Sequence, residues 1–260
     1  MDRKPFVFLL LMAGAVLLMP DNARAQDPLV AEGREVYDTY CIVCHGDKGD
    51  GMGLMGVIHR VQQKGIVVYT YPRDFTGGMF KFRSTASGDL PTEEDLMRIV
   101  TDGIPRSGMP SHKDLTVDER EAVIAFIKTY SKRWQEEKPG TPVELGAAPD
   151  YVGSPESLAR GKTLYADAGC NFCHGQTGQG DGSSAGDLKD NWGNKILPFD
   201  FTSGPLKGGT SSEDIYKTFV TGLDGTPMPS YQEALNKQQR WDIVSYCLKL
   251  MKGSSETTQK

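Results

Sequence analysis

The chain has 260 residues, long enough for two domains of about 100 residues each once a targeting segment is set aside. It carries 34 Asp and Glu against 29 Lys and Arg, a net charge of −5, which argues against nucleic-acid binding and favours a partner with a basic docking face. Beyond the N-terminal segment no apolar stretch is long enough to cross a membrane, so no membrane span is expected in the mature chain.

Residues 1–25 read as a signal peptide, with Arg3 and Lys4 in front, an apolar run from Phe6 to Met19, and Ala23-Arg24-Ala25 before the expected cleavage. The run has 14 residues and ends at Pro20, whereas a spanning helix needs about 20. Cleavage removes three basic and two acidic side chains and leaves the mature chain slightly more acidic. The expected location is the periplasm.

The rest of the chain repeats itself, which predicts two domains at 27–138 and 156–252. A first helix is expected through Gly33, Val36, Tyr37 and Tyr40, leading into Cys41-Ile42-Val43-Cys44-His45 and a turn with Gly49-Asp50-Gly51. Asp74-Phe75-Thr76 follows, then a short helix starting near Thr92 with Leu96, Ile99 and Val100 on one face. A loop with Met109-Pro110-Ser111 precedes a last helix, capped reciprocally by Thr116 and Glu119 and carrying Val123, Phe126, Ile127 and Tyr130.

Residues 139–155 hold four Pro and three Gly and read as a linker, at whose end Ser154 and Pro155 suit a helix N-cap and first position. The landmarks then return in the same order: Gly161, Leu164 and Tyr165; Cys170-Asn171-Phe172-Cys173-His174; Gly180-Asp181-Gly182; Asp200-Phe201-Thr202; a helix from Ser211; Met228-Pro229-Ser230; and a helix capped by Asn236 and Gln239 with Ile243, Tyr246, Cys247 and Leu250. The tail 253–260 is polar and is expected to be disordered. The first domain exceeds the second by insertions around 57–71 and 79–91, which read as a docking surface, a cover over the site, or plain surface loops.

Both cysteine motifs fit Cys-x-x-Cys-His, the attachment signature of c-type haem. Two thiols three residues apart on a helical turn can each form a thioether with one haem vinyl group, and the adjoining His then ligates the iron. Cys41, Cys44 and His45, and Cys170, Cys173 and His174, are therefore the candidate attachment residues for two covalent haems. A disulfide, a zinc site or a thioredoxin-like dithiol would also use Cys-x-x-Cys, but none of them explains a His after each pair. Met109 and Met228 recur in equivalent Pro-flanked loops and are the candidate second iron ligands; Met52, Met55, Met79, Met97 and Met251 read as ordinary packing.

His59 and His112 are rival ligands in the first domain only, and His112 reads as a residue beside the ligand loop, with no counterpart His in the second. Cys247 is the odd thiol; its repeat partner is Ile127, so it is expected to be buried and apolar in role. Lys81, Arg83, Lys195 and Lys207 are candidate partners for haem propionates, on no stronger ground than charge.

With these residues placed, the sequence resembles the class I cytochromes c, and in particular bacterial di-haem proteins built from two fused cytochrome domains. The resemblance implies a mostly α fold of two tandem domains, with Gly33 allowing the first helix to pass close to the 126–130 stretch of the last. The loops around Asp-Phe-Thr also look like those of cytochrome subunits that accompany larger periplasmic oxidoreductases. The implied function is electron transfer between redox partner proteins, with no catalytic residues of its own, because His/Met ligation leaves no open iron position. The alternatives are a di-haem peroxidase-like enzyme, which needs an opened iron and a proton acceptor, a tightly bound subunit of a larger oxidoreductase, and a haem-based gas sensor.

Overall fold

A computed structural model describes residues 27–57, 59–63 and 65–252. The expected signal peptide, the 253–260 tail and the side chain of His59 lie outside the described residues. The fold is mostly helical, in two similar halves.

In the first half, α1 (Pro28–Tyr40) begins where the Asp27 carboxylate accepts from the Leu29 N–H, and it runs into the single turn α2 (Ile42–His45). A hairpin of β1 (His59–Gln63) and β2 (Ile66–Thr70) follows, paired antiparallel with Val61 opposite Val68. This hairpin occupies the first insertion and is the one element type the helical reading did not contain. Next come α3 (Glu93–Asp102) and α4 (Val117–Lys128), each started by a capping box, Thr92 with Asp95 and Thr116 with Glu119, and the short α5 (Arg133–Glu136). These boxes satisfy helix-end donors that would otherwise be orphaned.

The second half repeats the plan with α6 (Pro155–Asp167) capped by Ser154, α7 (Cys170–His174), α8 (Ser212–Thr221) capped by Ser211, and α9 (Lys237–Lys252). The N-terminus of α9 is closed by Asn236 and Gln239, each side chain accepting from the other's backbone N–H at 2.9 Å. No helix among the described residues is long and apolar enough to cross a membrane.

In both halves the first helix crosses the last at a glycine. A Cβ on Gly33 would fall on the Ala122 carbonyl and beside Phe126, and one on Gly161 would fall on the Asp242 carbonyl and beside Tyr246. Gly33 thus meets the near end of the expected 126–130 stretch at Phe126 and also Ala122 one turn earlier, while Tyr37 packs on the same stretch with ring centroids 5.2 Å from Phe126 and 5.6 Å from Tyr130. Each crossing nucleates a core: Val36, Tyr37, Val123 and Phe126 in the first half, and Tyr165, Trp241, Ile243 and Tyr246 in the second. Cys247 is buried in the second core, as its equivalence to Ile127 requires.

The halves are docked on one another. Arg83 is fully buried, pairs with Asp224 of the second half at 2.9 Å, and donates to the Phe80, Ala86 and Thr221 carbonyls. Asp224 also accepts from the Ser87 hydroxyl and the Gly88 N–H. At the other end of the interface the Gln63 amide, at the tip of the hairpin, donates to the Gln179 and Gly180 carbonyls. The Pro/Gly-rich stretch is strapped down: Val143 N–H bonds the Ser84 carbonyl, while Val143, Leu145, Ala148 and Val152 pack on the second core.

Candidate haem sites

The turns α2 and α7 present each Cys-x-x-Cys-His motif. In α2 the Cys44 and His45 N–H groups both reach the Cys41 carbonyl, so the two thiols and the imidazole project from one tight turn.

Each imidazole is held on two sides. His45 Nδ1 lies 3.0 Å from the Arg73 carbonyl and His174 Nδ1 lies 3.1 Å from the Phe199 carbonyl. A carbonyl only accepts, so Nδ1 carries the proton and Nε2 keeps its lone pair. The Phe75 ring stacks on His45 at 4.5 Å and the Phe201 ring on His174 at 4.8 Å. Burial pushes His45 down to about 4, and it lowers His174 as well. Both rings are therefore neutral near pH 7, the form that binds a metal, with a carbonyl partner that fixes the tautomer and raises basicity.

The Asp-Phe-Thr repeat has its role here. Asp74 and Asp200 each accept from the N–H and hydroxyl of the Thr two residues on, which sets the turn. The Phe N–H groups donate to Gly49 and Gly178 carbonyls, both at 2.7 Å. Tyr37 and Tyr165 hydroxyls close the other side on the Gly46 and Gly175 carbonyls. Sequence reasoning found this repeat as a landmark but missed that the residue before each Asp offers its carbonyl to the ligand imidazole. No side-chain signal marks a carbonyl.

Burial pushes the Cys41 thiol up to about 12 and the Cys170 thiol up to about 11. A redox dithiol needs the opposite, a thiol depressed toward neutral pH. Among the described residues no three His, Cys, Asp or Glu side chains converge as metal donors, so the two Cys pairs do not form a shared zinc site.

The two Met loops are built alike. The Met109 carbonyl accepts from Ile104 and the Met228 carbonyl from Leu223, while their N–H groups point at the Ser107 and Thr226 hydroxyls. Ser111 and Ser230 then tie the loops to the Thr101 and Val220 carbonyls at the ends of α3 and α8. Met228 lines a cavity of about 840 Å³ together with Cys170, Cys173, His174, Phe199 and Phe219. That volume lies in the range of cofactor pockets, about 300–1,000 Å³. Two thiols, a neutral imidazole, a thioether and aromatic walls are the donor set that a covalent haem requires, so the residues fit that group. Met109 holds the matching position in the first-half loop.

His112 and Tyr231 are structural counterparts, the third residue after each Met, with N–H groups bonded to the Val100 and Phe219 carbonyls. His112 is half-buried with its ring edge-on to Tyr40 at 6.1 Å, and Tyr231 lies beside the Cys170 sulfur. Of the four candidate propionate partners, Lys81 and Lys207 line the second cavity, whereas Lys195 does not and Arg83 is spent on the interdomain bridge.

Residues 28–127 match the family described as cytochrome c oxidase, cbb3-type, subunit III, and residues 158–251 match the family described as cytochrome c. The chain is 39% identical to one chain of a reducing HAO-like protein complex of Kuenenia stuttgartiensis, with a TM-score of 0.77, covering 84% of this chain and 95% of that one. The chain belongs to the cytochrome c family. It is a tandem cytochrome c of the di-haem type, a family that carries covalent haem c and transfers electrons. It is also 25% identical to cytochrome bc1 complex cytochrome c subunits of Corynebacterium diphtheriae and Corynebacterium efficiens. Those matches span 89% and 90% of this chain and 69% and 66% of the two relatives.

Proposed function

We propose that this tandem cytochrome c is a periplasmic electron-transfer protein that holds two haems, one per domain, and passes single electrons between redox partners as part of, or docked on, a larger oxidoreductase. The observation that carries the reading is the convergence of Cys170, Cys173, His174 and Met228 on one cavity, in a chain that repeats the same parts in its first half.

Cys41 and Cys44, and Cys170 and Cys173, would anchor the two haems, with His45 and Met109, and His174 and Met228, as the residues that would hold the iron. When bound, each haem supplies a one-electron iron couple. The Arg73 and Phe199 carbonyls hold the two imidazoles in the tautomer that offers Nε2, and the Met loops, tied at both ends, would supply a thioether as the second iron ligand. An iron held by both an imidazole and a thioether would leave no place for a substrate, which favours a carrier over a peroxidase-like enzyme. Association with a larger assembly is supported by the relatives, which are a chain of an HAO-like complex and subunits of cytochrome bc1 complexes. The net charge of −5 suits a partner with a basic face.

The test is an optical redox titration of the holoprotein with a haem count and carbon monoxide addition. Two haems per chain, neither binding carbon monoxide until Met109→Ala or Met228→Ala opens one of them, is the expected result. A single haem, or carbon monoxide binding by the unmodified ferrous protein, would overturn the carrier reading.

A further inference from the structure

The second-domain cavity is not built by the second domain alone. Val68, Tyr69 and Thr70 of the β1–β2 hairpin form part of its wall, and so do Arg73, Lys81 and Arg106 of the first domain. Lys207 of the second domain joins these three, so four cations line one cavity, with Arg106 at its exposed rim.

Among the described residues the two lysines of that cluster, Lys81 and Lys207, have no bonded counter-ion. Four carboxylates also line the cavity and offset the cations in part, Asp190 favouring charged Lys81 and Arg73, but none is bonded to either lysine: Asp50 accepts from the Met52 N–H, Asp74 from Thr76 and the Trp192 indole, Asp190 from Trp192 and Asn194, and Asp200 from Thr202. Arg73 stacks over the Trp192 ring at 4.7 Å, and Arg106 covers the Phe199 ring at 5.2 Å while donating to Ser203 and Pro205. Lys81 and Lys207 make no hydrogen bond or ion pair among the described residues. Burial, and then the neighbouring Arg73 and Lys207, push Lys81 down to about 7, and burial lowers Lys207 as well. Two part-buried lysines without a bonded partner are costly to hold charged, and they are complementary to an anion carried by whatever fills the cavity. The anionic groups of a haem are its two carboxylates.

We propose that the first domain supplies the counter-charge for the haem of the second: Lys81 and Arg106, with Arg73 and the second domain's own Lys207, hold that haem's carboxylates across the interface and so set its reduction potential. The inference rests on the reading that Cys170, Cys173 and His174 carry a haem. Positive charge placed beside a haem disfavours the additional charge of the ferric state, so its removal makes reduction harder.

The experiment compares holoprotein with Lys81→Met, which keeps the apolar stem, Lys81→Arg, which keeps the charge, and Arg106→Gln, whose side chain lies toward solvent. The haems are counted, and each midpoint is read by spectroelectrochemistry. The second-domain haem is identified as the one whose spectrum changes in Met228→His. In Lys81→Met and Arg106→Gln the equilibrium constant for reducing that haem is expected to fall about tenfold, which is 59 mV for one electron. The first-domain haem should hold within about twofold, and Lys81→Arg should restore the original value. With both haems present, a change of less than about twofold at the second haem in both charge-removing variants, or an equal fall at both haems, would overturn the proposal. A chain that attaches no haem at Cys170 and Cys173 would overturn the underlying reading instead, and the haem count separates the two failures.

Discussion

The Arg73 carbonyl accepts from His45 Nδ1 at 3.0 Å while the guanidinium of the same residue lies over the Trp192 ring of the other domain at 4.7 Å. One residue thus touches the ligand imidazole of the first site with its backbone and the wall of the second site with its side chain. The carbonyl bond makes the imidazole a stronger donor, which favours ferric iron. Trp192→Leu removes the platform that holds Arg73, so the first-domain haem is expected to become easier to reduce, by less than the roughly 59 mV that corresponds to a tenfold change. Redox titration of that variant checks it; a first-domain potential unchanged within error means the stacking does not position the carbonyl.

Asp224 is the only carboxylate paired with the fully buried Arg83 among the described residues. Removing one partner of a buried pair leaves an unpaired charge and costs about 3–5 kcal/mol. Asp224→Ala is expected to loosen the domain interface by that order, so that denaturant unfolding of the holoprotein splits into two transitions or moves to a clearly lower midpoint. Asp114→Ala, in an exposed loop, serves as the comparison and should leave the curve in place.

Alanine is a better helix former than glycine by about 1 kcal/mol, yet Gly33→Ala and Gly161→Ala should both destabilise. The added methyl meets backbone carbonyls of α4 or α9, which cannot swing aside as a side chain tip would. Overpacking of this kind costs about 1–3 kcal/mol and outweighs the propensity gain. Thermal melts of the two variants, each with a lower midpoint than the parent, check this; a raised midpoint would mean the helices can separate without loss.

The depressed His45 sets an acid limit. Its ordinary value is near 6.5 and burial takes it to about 4, so the neutral ring that offers Nε2 is favoured at all pH values above the folded value and is lost as the pH falls through it. The first-domain haem is expected to keep its nitrogen ligand between pH 7 and pH 5, because burial and iron on Nε2 both oppose protonation of the ring. An optical acid titration showing ligand loss near pH 6 would contradict the burial argument.

Most of the fold could be read from residue pattern, because helices advertise themselves locally. Thr116 with Glu119, Ser154 with Pro155 and Asn236 with Gln239 each mark a helix start by chemistry confined to a few neighbours, and all three starts lie where those residues place them. The cysteine motifs were legible for the same reason. The hairpin at 59–70 was not, since its partner surface is the other domain and periodicity within one segment carries no record of what lies across an interface. The Arg83–Asp224 bridge and the cation cluster escaped for that reason too. Lys81 and Lys207 were named by charge alone, and only the fold separates them from Lys195, which lies away from the cavity.

The hairpin that closes the second cavity also constrains the order of biogenesis. A wall lent by one domain to another's cofactor pocket is in place only after the two have come together, while thioether formation at Cys170 and Cys173 requires both thiols to be within reach of the enzyme that joins them to the porphyrin. On the proposed haem reading, cofactor attachment in the second half is therefore expected to precede docking of the hairpin on that cavity.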